Sequence, residues 1–349
     1  MKKKLLILIL LCFGIFLVTG CSKKPQVYEQ QEFKMDTIMN LKAYGSKAEN
    51  AVKKAYDRID EIEQMASAQI ATSDVSMINE KAGVAYVKVH PEIILMLQTA
   101  VKYSELSEGA FDITVGPLIK LWGIGTENER IPEASEIKET LALVGYKNIS
   151  INEAEGSVML LKKGMSIDLG GIAKGYAADE VVKIFKNKGI TSALINLGGS
   201  SMYTLGKKPD LSLWSIAIQH PRKDKNGNYA GVIKMSNQAL STSGDYERYF
   251  IRNDKRYHHI LNPFTGYPAD AGVMSDTIVI SGDNPNGNML ADILTKVTFV
   301  SGIEKGLGII DRLDGIECLA ITTDNKIYKS SGWSLLVEDV SPDFTEMNK

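Results

Sequence analysis

Ser166-Ile167-Asp168-Leu169-Gly170-Gly171-Ile172-Ala173-Lys174-Gly175-Tyr176-Ala177-Ala178-Asp179 begins as a short apolar strand, turns through paired glycines, and continues as a helix with Val181, Val182 and Phe185 at helical spacing. A turn of this kind gathers backbone N–H groups and a helix N-terminus at one point, and absent side chains let an anion approach closely. Lys174 adds a mobile positive charge suited to phosphate oxygens. The segment matches neither the dinucleotide-binding glycine fingerprint nor the P-loop pattern, so by itself it reads as a packing turn before it reads as a phosphate site.

Outward from that turn, Phe33 to Tyr44 reads as a strand with Met35-Asp36-Thr37 at its start. Ala48 to Met65 carries Ala51, Ala55, Ile59 and Ile62 at helical spacing, an amphipathic helix. Ser73 to Ser76 supplies capping residues before a short helix, and His90-Pro91 opens another that runs to about Leu106. Gly109-Ala110-Phe111-Asp112 to Trp122 mixes glycine, proline, acids and aromatics; without context it is a loop packed on the core. A helix is expected near 135–144 and short strands at Val158–Leu161 and Met165–Leu169. Downstream come strands at Ala193–Leu197, Leu213–Gln219 and Thr277–Ser281, a hairpin turning at Asn253-Asp254-Lys255, a helix through Ala291–Val297, and two last strands near 317–322 and 326–330. Strands arriving in hairpins more often than in βαβ units favour an α+β fold.

The N-terminus has a separate logic. Met1-Lys2-Lys3-Lys4, an apolar run from Leu5 to Val18 and Val18-Thr19-Gly20-Cys21 describe a secretory signal over residues 1–20. The alternative is an uncleaved anchor. Residues 21–30 read as a polar tether, which leaves 31–349 as the folded domain. The remaining chain, roughly 320 residues, could form two lobes. Of three cysteines, Cys12 lies in the signal and Cys318 in an apolar run, where it reads as packing. A formal charge of −2 suggests no nucleic-acid partner.

Five segments, in this order, resemble the ApbE family of flavin transferases: Gly109 to Trp122, Asp168 to Ala177, Asn196-Leu197-Gly198-Gly199, Ser241-Thr242-Ser243-Gly244 to Phe250, and His259 to Pro268. Val18 to Cys21 also resembles a lipobox, which would make Cys21 the lipidation site of a membrane lipoprotein on the extracytoplasmic face. The resemblance implies two lobes of mixed or antiparallel sheet with packed helices and FAD in the cleft between them. It implies a Mg²⁺-dependent reaction in which a threonine or serine hydroxyl of an exported protein takes FMN from FAD and AMP leaves. His259, Lys174 and Asp292 would be catalytic, with His259 the base. Met35, Asn79, Ala110, Phe111, Asp112, Gly170, Gly171, Lys174, Ser243, His259 and Ile260 would bind the dinucleotide, although Asp112 could equally cap a turn. For the metal the family offers an aspartate, a threonine four residues on, and a carbonyl from the glycine turn. Asp292 and Gly171 fit, but Lys296 stands at the fourth position and the threonine is Thr295. Either Thr295 substitutes as ligand or the Lys296 ammonium partly replaces the metal's charge. The same site could hydrolyse FAD, and a lipoprotein that only binds flavin is the alternative outside enzymology.

Overall fold

The computed structural model describes residues 26–223, 227–282, 284–335 and 337–347. The expected signal, Cys21 and the first part of the tether lie outside the described residues. Val27–Lys34 (β1) and Thr37–Tyr44 (β2) form a hairpin, so pairing already begins inside the stretch expected as tether. Met35 and Asp36 do not start a strand. Both have positive φ (48° and 59°), as a two-residue hairpin turn with the right twist requires.

Ala48–Ala66 (α1) buries Ala51, Ala55, Ile59 and Ile62, as its periodicity predicts. The Ser73 hydroxyl accepts the Ser76 N–H (2.9 Å) and so caps Asp74–Glu80 (α2). Val87–Lys88 (β3) leads to Pro91–Leu106 (α3), and a single 3₁₀ turn at Ile113–Val115 leads to Gly116–Trp122 (α4) and then Ala134–Leu141 (α5). Ile149–Asn152 (β4) and Ser157–Leu160 (β5) complete a small sheet with β3. After Ala173–Asn187 (α6) come Ala193–Leu197 (β6), Ser201–Leu205 (β7), Trp214–Gln219 (β8), Tyr229–Met235 (β9) and Gln238–Gly244 (β10). Tyr249–Arg252 (β11) and Lys255–His258 (β12) are the expected hairpin, turning through Asn253 and Asp254 at positive φ. Val273–Ser281 (β13), Gly287–Ser301 (α7), Ile303–Ile310 (α8), Ile316–Thr322 (β14) and Lys326–Lys329 (β15) follow. The chain does not close there: Val337–Glu338 (β16) and Thr345–Glu346 (β17) add two short strands.

The main sheet runs β1-β2-β6-β7-β10-β13-β14-β15-β17, and only the β15–β17 pair is parallel. That topology is α+β. Alternation along β13 splits its side chains between two cores. Ile278 and Ile280 join Met39, Leu41, Ile195 and Cys318 beneath α1, α6 and α7. Val279 joins Leu240, Leu319 and Ile321 on the opposite face, where Trp214, Ile216 and Ile233 of the β16-β9-β8 sheet cover them. The helical-side core also takes in Ile93, Leu97, Val158 and Leu160, so the small β3-β5-β4 sheet and α3 share one continuous core with the main sheet.

Met165–Leu169, expected as a strand, pairs with no strand among the described residues. Its backbone finds other partners. The Ile167 N–H donates to Asn79 Oδ1 (2.7 Å), Asn79 Nδ2 donates to the Ile167 carbonyl (3.0 Å), and the Asp168 N–H donates to the Ile113 carbonyl (2.8 Å). A side-chain amide takes the place of the neighbouring strand here.

Candidate active site

The glycine turn is closed by its own aspartate. Asp168 Oδ1 accepts the Gly170 N–H (2.7 Å), and the Leu169 carbonyl accepts from Ile172 (3.0 Å) and Ala173 (2.8 Å) as α6 begins. The N-cap residue Ile172 offers no side-chain cap and the Ala173 N–H is spent on Leu169, so the Lys174 and Gly175 N–H groups are what the first turn has left for another acceptor. One is already used: the Gly175 N–H donates to Asp292 Oδ2 (3.2 Å). The two helices touch here because position 175 is glycine. A Cβ on it would lie 2.3 Å from the Asn288 carbonyl oxygen. One turn further along α6, Asp179 accepts from the backbone of Asn288 (3.0 Å) and Met289 (2.9 Å) and from Asn288 Nδ2 (2.8 Å), thereby capping the N-terminus of α7.

That crossing delivers α7's polar face to the turn. Asp292 is completely buried. Burial would raise its carboxyl, but the charges of Lys296 and Lys174 outweigh this and hold it below the usual carboxylate range. Lys296 Nζ is bound to Asp292 Oδ1 and also donates to the Asp292 carbonyl (2.8 Å). Its aliphatic stem passes the glycine turn, with Cε 3.6 Å from a Cβ built on Gly171. Thr295 Oγ1 donates to the Asp292 carbonyl (2.8 Å) and accepts from Ser243 Oγ (2.8 Å), so Ser243 serves to hold Thr295.

Lys174 Nζ donates to the Gly170 carbonyl (3.2 Å) and folds back over the turn. Burial lowers its ammonium below the ordinary value; Asp292 opposes this, and the like charges of Lys296 and Arg248 add to it. His259 stands beside the same cations. Burial, then His258, Arg248 and Lys296, push its imidazole down to about 3, leaving it neutral at physiological pH. The His259 N–H donates to the Arg248 carbonyl (3.1 Å), and its Nδ1 lies 3.3 Å from the same oxygen. The preceding histidine, the last residue of β12, faces elsewhere. His258 bonds the Ala269 carbonyl through Nε2 (2.9 Å), accepts the Ile260 N–H at Nδ1 (3.3 Å), and packs edge-on against Phe299. Arg248, which the sequence reading did not single out, reaches over the site mouth to the Asp36 carbonyl (3.4 Å). It lies in the Ser241–Phe250 segment that carries the family resemblance, but nothing in its spacing marks a role for it. Neither Lys174 nor Arg248 has a carboxylate within ion-pair distance among the described residues.

Other candidates take supporting positions. Asp112 caps a turn: Oδ1 accepts from the Thr114 N–H (2.8 Å) and hydroxyl (2.6 Å), and Oδ2 accepts from the Tyr146 N–H (2.8 Å). Asn79 brackets Ile167 through its side-chain amide. Phe111 sits against Gly171 (ring carbon 3.4 Å from a Cβ built there), while Ala110 and Ile260 share a small buried cluster with Phe299. Met35, half-buried in its hairpin turn, donates its N–H to Glu63 Oε1 (2.9 Å). Trp122 donates its indole N–H to the Gly266 carbonyl (2.7 Å), joining the Gly109–Trp122 and His259–Pro268 segments. Lys174, Asp292, Gly171 and His259 therefore share one site, with Lys296 and Arg248 added. The group carries an excess of positive charge around the start of α6 and includes one neutral imidazole. Such a group can bind a diphosphate and take a proton.

The ApbE family model matches residues 35–320. An FAD:protein FMN transferase of Klebsiella pneumoniae is 36% identical over 306 residues, covering 88% of this chain and 92% of the relative. One of Treponema pallidum is 30% identical over 334 residues, with 90% of each covered. Among solved structures, the ApbE protein of Thermotoga maritima superposes with a TM-score of 0.79 at 33% identity, covering 88% of this chain and 97% of that one. The flavin transferase ApbE of Vibrio cholerae superposes at 0.77 with 27% identity, covering 88% and 98%. On sequence and fold together, this chain belongs to the ApbE family.

Proposed function

We propose that this chain is an FAD:protein FMN transferase, moving FMN from FAD to a threonine or serine hydroxyl of an acceptor protein outside the cytoplasm. The carrying observation is the convergence of Lys174, Lys296 and Arg248 on the uncapped start of α6, with neutral His259 at their edge. Phosphoryl transfer asks a protein mainly to position reactants and offset charge. The acceptor oxygen bonds to the FMN-side phosphorus, the bond from that phosphorus to the bridging oxygen breaks, and AMP leaves with that oxygen. The hydroxyl proton passes to His259. Lys174, through its ammonium and its own backbone N–H at the start of α6, faces the diphosphate charge. Coexpression with an exported flavoprotein candidate, followed by mass spectrometry, tests this: FMN on a threonine or serine supports transfer. Free FMN with unmodified protein would favour hydrolysis of FAD by the same site, and intact FAD a passive flavin carrier.

The expected Mg²⁺ site at Gly171, Asp292 and Thr295 is a separate matter. A hard cation needs several free oxygen ligands. Here Asp292 Oδ1 holds an ammonium, Oδ2 accepts an amide N–H, and Thr295 Oγ1 is engaged by Asp292 and Ser243. That donor set does not fit a divalent ion as arranged, and no step above uses one.

The N-terminal sequence supports membrane attachment: a lysine-led apolar run ending in Val18-Thr19-Gly20-Cys21 is the pattern of a lipidated exported protein. The same attachment would present the site to partners on the outer face of the cell membrane. Cys21→Ser should move the protein from the membrane fraction to the soluble fraction and abolish palmitate labelling; unchanged fractionation and labelling would contradict lipidation at Cys21.

A further inference from the structure

We propose that the Lys296 ammonium is the built-in cation of this site, occupying the Asp292 carboxylate and facing the dinucleotide diphosphate in place of a bound divalent metal. The inference rests on the FAD reading above and adds to it the source of charge.

Three observations carry it. First, Asp292 is completely buried, and a buried carboxylate needs a compensating charge and hydrogen bonds. Lys296, one helical turn on, supplies both: its Nζ bridges Oδ1 and the main-chain carbonyl of the same residue (2.8 Å). Second, the neighbouring threonine is held on both sides by structural bonds. The Thr295 hydroxyl donates its proton to the Asp292 carbonyl and receives that of Ser243, so its bonds tie α7 to β10. Third, Lys296 is the one of these groups that reaches the turn. Its stem runs alongside Gly171, its side chain remains 20% exposed, and its charge is felt at both Lys174 and His259. An ammonium on a long stem can keep one hydrogen bond to Asp292 and offer the others to a phosphate oxygen. A metal at the same carboxylate would have to displace this charge and would meet its repulsion.

The test uses the full folded protein stripped of metal, with FAD binding followed by flavin fluorescence and Mn²⁺ binding by electron paramagnetic resonance. Wild-type protein should bind FAD equally in EDTA and in Mg²⁺, within about threefold, and should hold no stoichiometric Mn²⁺. Lys296→Thr, which restores a hydroxyl four residues after Asp292, should lose at least about tenfold in FAD affinity in EDTA, regain it with Mg²⁺, and acquire one Mn²⁺ site. Lys296→Arg should keep metal-independent binding, which separates loss of charge from loss of fold. One tightly bound Mn²⁺ in the wild type, or wild-type FAD binding that requires Mg²⁺, would overturn the proposal while leaving the transferase reading intact. Failure of the wild type to bind FAD under any condition would instead overturn that reading and this inference with it.

Discussion

His259 illustrates how a residue's neighbours define its chemistry. A motif histidine is legible in the sequence, but its charge state is not. Burial first, then His258, Arg248 and Lys296 from separate stretches of the chain, hold its pKa near 3. A base that is already neutral gains nothing as pH rises through the ordinary histidine range. The pH dependence of kcat/KM, which reports free-enzyme groups, should therefore show no His-like fall as pH drops from 8 to 5 at the model-peptide midpoint of about 6.5. A rate that halves near that midpoint would show His259 to be freely titrating. His259→Ala should lower kcat by roughly 100-fold or more with FAD affinity little changed. Lost FAD affinity with kcat preserved would assign the imidazole to binding. Lys296 and Thr295 show the same limit from the other side. Sequence spacing placed both near Asp292 and left open which one engages it; only rotamers and the presence of Ser243 on β10 decide that Thr295 is committed elsewhere.

Among the elements, the α6–α7 crossing places the site, and it depends on two small features of α6. Gly175 lets the helices touch, and Asp179 caps α7 from outside. Gly175→Ala must separate the helices or shift Asn288, at a cost of about 1–3 kcal/mol. Asp179→Ala leaves buried donors of α7 without partners and should cost about 2 kcal/mol or more. Urea midpoints should fall in both variants with unchanged denaturant slope, and the Gly175 variant should also lose FAD affinity. A Gly175→Ala protein as stable and active as wild type would show that the close approach is not needed. Helices and hairpins were legible because periodicity and turn residues are local signals. The failures have one cause. Met165–Leu169 reads as a strand, yet its partner is the amide of Asn79, far away in sequence. Tyr28 to Gln30 reads as tether because its residues are polar, but as an edge strand it shows one exposed face and pairs in register with β2, where Glu29 also bonds Asn40 and Lys42. Neither fact can be seen from a window of sequence.

Across the whole molecule, the site rests on the middle of the main sheet, where a second acid lies directly beneath α7. Asp276 on β13 pairs in register with Ser243, is fully buried, and accepts the Cys318 thiol proton at 3.1 Å. Its Oδ2 has no hydrogen-bond partner among the described residues, and burial pushes its carboxyl up to about 8 despite the help of Cys318, Thr298 and Lys296. In the unfolded chain the same group ionises near 4. Between those values the folded protein binds the proton and the unfolded chain does not, so this residue's contribution to stability is complete below about pH 4 and is lost as pH rises toward 8. The loss can reach about 1.4 kcal/mol per pH unit for one group. Other buried groups titrate too, His259 and His258 with the opposite sign, so the wild-type profile mixes them. The difference between wild type and Asp276→Asn isolates the one carboxyl. Relative to the variant, the wild type should lose stability steadily from pH 5.5 to pH 8 and no further above that, as read from thermal or urea unfolding. A constant difference across that range would mean that Asp276 ionises normally. The sheet beneath the site would then tolerate a buried negative charge, and Lys296 would be shared between two carboxylates instead of being committed to Asp292.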